Sequence, residues 1–343
     1  CAVRGMKRRM PALFVITVVL FVSVLGLLYK GMEVTHVDVD DGGIWVIDKS
    51  KQMVGHLNYD ARVLDGALRA ESANFDIGQA GETVTMTDRA TSTIAPINVT
   101  AVALGSATPL PSGAVATQGG DTLGVYNPAE GTFWVTSAKG PVAADLGDGA
   151  ALDSGEGAGA STVAVDGTAF SLSASDGTLV TVAPKGTVQS VNKSRIKGID
   201  PAATLAMTAV GNHPVAFDTT GNILYLPNGQ AYSLTDYGIA PGAVLQQPGA
   251  DADSVYLATP TSLVGVPLKG GGPSVVDTGA SGSPAAPVWH MGCAYGAWSG
   301  SGAYLRSCAD PSKDTNDVVD TLKSAREVVF RTNRSAIVLN DVA

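Results

Sequence analysis

Past position 40 the chain repeats one phrase: a turn, a short β-type run, a second turn, a second short run. "GGIWVIDKSKQMVGHLN" opens at Gly42, "GETVTMTDRATSTIAPIN" at Gly81 and "DTLGVYNPAEGTFWVTS" at Asp121. "GTAFSLSASDGTLVTVA" opens at Gly167, "HPVAFDTTGNILYLPNG" at His213 and "DSVYLATPTSLVGVPLK" at Asp253. "CAYGAWSGSGAYLRSC" is the seventh, from Cys293 to Cys308. The starts lie 39, 40, 46, 46, 40 and 40 residues apart. Weaker runs such as "PSGAVATQGG", "TLAMTAVG", "GAVLQQPGA" and "SPAAPVWHMG" lie between them and supply further strands. A period of about 40–50 residues with about four strands per unit is the signature of propeller blades. Each small twisted sheet has two faces to cover, and stacking in a ring covers both. The pattern therefore predicts an all-β fold, a β-propeller of about seven four-stranded blades. Soft phrase boundaries leave six or eight open, and two stacked β-sandwiches are the architectural rival.

The tail "EVVFRTNRSAIVLNDVA" (327–343) again reads as two runs around a turn. Its strands are expected to complete the blade begun near "VTHVDVDDGGIWVID", so that both chain ends clasp the ring. "SKDTNDVVDTLKSAREVV" is the least strand-like stretch and reads as one helical turn or more. "ADLGDGAALDSGEGAGAS" (144–161), acidic and rich in glycine, reads as an exposed loop.

The start of the chain follows another pattern. Ala12 to Tyr29 is uncharged and almost wholly apolar. At about 1.5 Å per residue its 18 residues reach about 27 Å, close to the hydrocarbon thickness of a bilayer. Lys7-Arg8-Arg9 precede it, which places residues 1–10 in the cytoplasm. The expectation is one transmembrane α-helix over 11–30, acting as a signal-anchor in the plasma membrane, with an extracytoplasmic domain over 31–343. A cleaved signal peptide is the rival, but no A-x-A-like site follows the apolar run. Cys1 precedes that run, so it reads as a cytoplasmic thiol or as a residue upstream of a start at Met6.

Composition sharpens these readings. Charged residues are 15% and hydrophobic ones 45%, enough apolar material for a core. Of the 22 basic residues five lie within the first 30 positions; the other 17 face all 31 acids, a net −14. Such a surface repels nucleic acid and anionic lipid headgroups. Folded as a hairpin about Ser299-Gly300-Ser301-Gly302, the seventh phrase sets Cys293 opposite Cys308. Opposed residues on antiparallel strands have Cβ atoms about 4.5–5.5 Å apart, near enough for a disulfide. Such bonds persist in oxidising compartments, which agrees with an outside location. Catalytic dithiols are usually C-x-x-C, so this pair reads as a staple. Tyr295 and Tyr304 share its face of the hairpin, and Trp298 lies on the other.

Candidate chemistry is sparse. His36, His56, His213 and His290 show no zinc-ligand spacing. No G-x-S-x-G elbow occurs, and "KGGGPS" (269–274) lacks the ending of a phosphate loop. Asp38 and Asp40 share a strand face, with Asp41 at its turn; Asp145 and Asp148 lie with Asp153 and Glu156 in the acidic loop. These are weak calcium candidates that do not fit the EF-hand pattern. No cofactor is indicated. Trp45, Phe133, Trp134, Trp289 and Trp298 fall mainly within the repeated strands and read as packing between blades. Carboxylates converging in the central funnel would instead make a glycosidase-type enzyme acting on cell-wall glycan.

The opening "DVDDGGIWVIDKSKQMVGHLNYDARVLDGAL" and the ending "EVVFRTNRSAIVLNDVA" resemble a group of actinobacterial membrane-anchored surface proteins. In that group a basic N-terminus and one transmembrane helix precede a propeller-like region. Immunoglobulin-like or fibronectin type III domains often follow it; this chain ends at Ala343 before any such domain. The resemblance implies a non-catalytic role at the cell envelope and transfers no active-site residue. Together these readings point to a membrane-anchored interaction or scaffold protein that binds a protein partner or a cell-wall polymer through propeller loops. A homo-oligomer through the helix, or a subunit of a larger complex, is a variant of that reading.

Overall fold

The computed structural model describes residues 42–140, 152–155, 157–185 and 188–343. The expected transmembrane helix (11–30), Cys1, His36 and the calcium candidates Asp38, Asp40, Asp145 and Asp148 lie outside the described residues. Among the described residues no helix is long and apolar enough to cross a membrane.

The repeated phrases are β-hairpins, and the weak runs between them are separate strands. Six antiparallel sheets follow one another along the chain, over residues 75–109, 115–137 with 152–153, 159–195, 205–233, 244–277 and 283–318. These are blades 1 to 6. Four have four strands; blades 1 and 6 each carry a fifth short one. Blade 7 is composite. The hairpin Val328–Asn333 with Ala336–Asp341 comes from the end of the chain, and the three-stranded sheet Ile44–Asp48, Met53–Asn58, Val63–Arg69 comes from its beginning. The fold is thus an all-β propeller of seven blades, closed by both ends.

Packing shows the closure. The described residues form seven apolar clusters, one at each junction between successive blades. Leu123, Val125 and Trp134 of blade 2 meet Ile94 and Leu110 of blade 1. Tyr126 and Phe133 meet Val163 and Val180 across the next junction, and Phe170 and Leu172 meet Ala216 and Tyr225 across the third. Val215, Phe217 and Leu224 meet Val255, Leu257 and Val264. Trp298 and Leu305 pack on Ala258 and Leu263; Cys293, Tyr295 and Ala297 pack on Leu322, Val328 and Phe330. The seventh cluster joins first to last: Trp45, Ile47, Val54 and Val342 against Phe75, Ile77, Val84 and Met86. Side chains that the repeat leaves on both faces of every sheet are what make the ring close. A sandwich would bury only one face of each sheet.

The acids serve mainly in turns. The last residue of a strand repeatedly accepts backbone N–H bonds from the turn after it. Lys51 donates to Asp48 Oδ1 at 2.9 Å, Ala90 to Asp88 at 2.9 Å, Ala129 to Asn127 at 3.1 Å and Thr220 to Asp218 at 2.9 Å. This is the Asx-turn use of a short polar side chain. The stretch expected to be least strand-like holds a one-turn helix, Asp320–Ser324, after the short outer strand Thr315–Val318.

Candidate functional site: the central channel

The inner strands of all seven blades surround one cavity of about 1090 Å³. Five of them pass into the second strand of their blade through two-residue turns at one mouth. Such tight hairpins need a positive φ at the first turn residue. Glycine supplies it at Gly81 (58°), Gly120 (52°) and Gly211 (57°). Blades 6 and 7 place Met291 (48°) and Arg334 (48°) there instead. A side chain in this conformation costs about 1–2 kcal/mol relative to glycine's freedom.

Those two side chains line the cavity together with Trp289, Val165 and Ala250. Met291 is 71% exposed and Val165 47%, conspicuous for large apolar groups. Trp289 is held rigid. Its ring stacks on Tyr256, centroids 5.5 Å apart and planes 7° apart, and its Nε1 donates to Asp251 O at 3.2 Å. Burial pushes the Tyr256 phenol above its ordinary range, with Asp253 adding to the effect. Trp, Met and Arg side by side at a concave opening is the composition of protein-interface cores. Sequence reading missed this cluster. Its signal was a pair of turns that hold Met and Arg where equivalent turns hold Gly.

The channel's charged residues are unlike the rest of the chain. Arg89, Arg331 and Arg334 line it, against Asp76 and Asp88. Both carboxylates have structural work. Arg331 Nη2 donates to Asp76 Oδ1 at 2.5 Å while Nη1 donates to Ile77 O at 2.9 Å, tying the last inner strand to the first. Asp88 Oδ1 accepts from Ser72 Oγ at 2.8 Å as well as from its own turn.

The remaining sequence candidates fall apart in space. Cys293 and Cys308 are bonded, S–S 2.04 Å, in the register the hairpin implied. Tyr295 and Tyr304 lie in the same cluster as the bridge, and Trp298 lies in the opposite one. The bridge therefore staples two strands of blade 6. His56 is buried in blade 7 and bonds Asp65 Oδ1 through Nδ1 at 2.6 Å; that bond holds the Asp65 carboxyl below its usual range. His213 opens a strand of blade 4, and His290 alone among the described histidines lines the channel. Asp153 meets Lys193, Nζ to Oδ2 3.7 Å. "KGGGPS" connects the third and outer strands of blade 5. Among the described residues no group of three or more His, Cys, Asp or Glu is placed to hold a metal. A second hollow of about 610 Å³ lies on blade 7, walled by Met53, Leu64 and Asn340 among others.

No family model and no curated protein matches the chain. Solved structures match its fold. The dihydro-heme d1 dehydrogenase NirN, solved in complex with DHE, superposes with a TM-score of 0.56 at 11% identity, over 92% of this chain and 66% of that one. A functionally unknown protein from Desulfotomaculum acetoxidans gives 0.51 at 11% identity, over 88% of this chain and 100% of that one. Apo AztD from Citrobacter koseri gives 0.52 at 12% identity, over 80% and 84%. Identity this low speaks for shared architecture alone.

Proposed function

We propose that this protein is a non-catalytic interaction module, anchored in the membrane through residues 11–30, whose ring lies outside the cytoplasm and binds a protein partner at the channel mouth. One observation carries the binding site: Met291, 71% exposed, stands at the mouth beside the immobilised Trp289, with Arg334 on the next blade. An exposed methionine adapts to a partner's shape, and a pre-set tryptophan offers area at low entropic cost. The Cys293–Cys308 bridge supports the outside location, since such bonds persist where the environment oxidises thiols. Both channel carboxylates are tied into structural bonds, which favours binding over glycan hydrolysis.

The test uses the full chain, recovered with its associated polypeptides from detergent-solubilised envelope. Met291→Gly combined with Arg334→Gly places at both turns the residue that three equivalent turns already use, so the ring should fold as before. The wild-type chain should retain a polypeptide partner that the double variant loses by about tenfold or more. Equal recovery by both, or retention of wall polymer in place of a polypeptide, contradicts the reading. The anchor is checked separately: the chain should stay with membranes in alkaline carbonate, and release into the supernatant contradicts it.

A further inference from the structure

We infer that Met291 is a modification site: a peroxide converts its thioether to the sulfoxide, and that change closes the channel mouth to the protein partner. The inference rests on the reading above and adds the control of that same site.

Three observations converge. The first is access. Met291 is the most exposed large apolar side chain among the described residues, at 71%. A Cβ on Gly292, the other residue of its turn, would meet no atom within 4 Å, so the turn stands clear of its neighbours. The other described methionines are held back. Met86 is buried, and Met53 and Met207 are partly buried.

The second observation is the company the sulfur keeps. Trp289, Val165 and Ala250 line the mouth with it. The side chains of Val165 and Ala250 have no proton to donate, and the indole N–H of Trp289 is already given to Asp251 O. A thioether suits such a site. A sulfoxide is polar, and its oxygen is satisfied only while water reaches it. A partner that covers the mouth removes that water and leaves a buried acceptor unpaired. The third is the redox setting. Cys293 follows two residues after Met291 and is bonded to Cys308. A thiol at this turn is already oxidised, so the sulfur left to respond is the thioether.

The step balances. The sulfur lone pair attacks one oxygen of hydrogen peroxide, the S–O bond forms, the O–O bond breaks, and the second oxygen leaves as water. Sulfur is oxidised by two electrons and the peroxide is reduced. A methionine sulfoxide reductase reverses the change, consuming two thiols and releasing the oxygen as water. An occupied mouth shields the sulfur, so the oxidant blocks new association and leaves a docked partner in place.

The test treats the full chain in detergent micelles with dilute hydrogen peroxide, maps sulfoxide by peptide mass and then mixes the chain with solubilised envelope. Met291 should oxidise about tenfold faster than Met86, and the oxidised chain should retain about tenfold less of the polypeptide partner. Met291→Leu should capture the partner and be indifferent to peroxide. Met291→Gln, polar and of similar length, should capture as poorly as the oxidised chain with no peroxide added. Circular dichroism and melting of each form should match the wild type. Equal capture by oxidised and untreated chain, a peroxide effect that persists in Met291→Leu, or full capture by Met291→Gln overturns the inference. If Met291→Gly with Arg334→Gly loses the partner while the oxidised chain keeps it, docking at the mouth stands and its control by oxidation falls. If the double variant keeps the partner as well, both fall.

Discussion

Blades 1 to 6 and blade 7 reach similar sheets by different means. Within blades 1 to 6, strand follows strand along the chain, and backbone ladders hold each neighbour to the next. Blade 7 is two separately hydrogen-bonded pieces. The inner edge of its strand Ile44–Asp48 meets side-chain amides where the other blades have a backbone ladder. Trp45 N donates to Gln79 Oε1 at 3.0 Å, and Ile47 N donates to Asn340 Oδ1 at 2.9 Å. Asn340 Nδ2 then returns to Ile47 O at 3.0 Å, and Lys49 N finds a backbone carbonyl, Val342 O, at 2.9 Å. Asn333 does the same service, donating to Gly43 O and accepting from Gly81 N. A ladder tolerates most side-chain changes because its bonds are made by the backbone. The seam is different: its bonds belong to particular residues, and one substitution can open it.

The largest expected effect lies on the continuous side of that contrast. Trp298 is fully buried between blades 5 and 6, and its Nε1 donates to Thr259 O at 2.6 Å. Trp298→Ala should cost about 3–5 kcal/mol in chemical denaturation. Amide exchange should quicken around blades 5 and 6 while the ladder inside each blade persists. Asn340→Ala comes next. It leaves the N–H and C=O of Ile47 without their partner, at a cost of about 2–3 kcal/mol. Its signature should be local: faster exchange over residues 44–49 and 336–342, with blades 2 to 5 unchanged. Uniform quickening around the ring would contradict a seam held by side-chain amides.

Acid sharpens the contrast further. Asp48 of blade 7 has its carboxyl lowered from 3.8 to about 2, chiefly because Lys51 donates to it, with Ser50 and the Lys51 backbone adding. A folded-state value below the unfolded one means that the anion favours the fold. That contribution is present above about pH 4 and is lost as the pH falls toward about 2. Asn127 caps a turn of the same kind in blade 2 and has no proton to gain. Asp48→Asn should therefore flatten the acid limb of the melting curve between about pH 4 and 2 and leave neutral stability within about 1 kcal/mol. The smallest effect is Met291→Gly, which should leave stability unchanged or raise it by up to about 1 kcal/mol, because it relieves a positive φ. A loss of stability there would mean that Met291 is held by packing, against its 71% exposure.

Much of the ring was legible in the chain because a repeated hairpin prints itself as a repeated phrase. The Cys293–Cys308 register followed from symmetry about Ser299-Gly300-Ser301-Gly302, and the tail at 327–343 was readable as the closing piece. The seam's chemistry was hidden. Gln79, Asn333 and Asn340 look like ordinary surface amides in a sequence, and their bonds span 34 to 293 positions. The channel cluster was hidden for a related reason. Trp289 and Met291 sit in a weak run and Arg334 in the turn of the tail, and only folding brings the three to one mouth. Asp76 and Arg331, 255 positions apart, show the limit most plainly. Each carries a charge that could have served catalysis or binding, and the ring uses both to join its ends.

The most direct test of the account is oxidation footprinting of Met291 in the full chain. Met86, buried in the junction of blades 7 and 1, serves as the internal reference. Under mild peroxide the purified protein should convert Met291 to its sulfoxide quickly and Met86 slowly. In intact envelope, where the proposed partner would cover the mouth, Met291 should be strongly protected while Met86 is unchanged. Equal oxidation of Met291 in the two settings would contradict an occupied channel mouth.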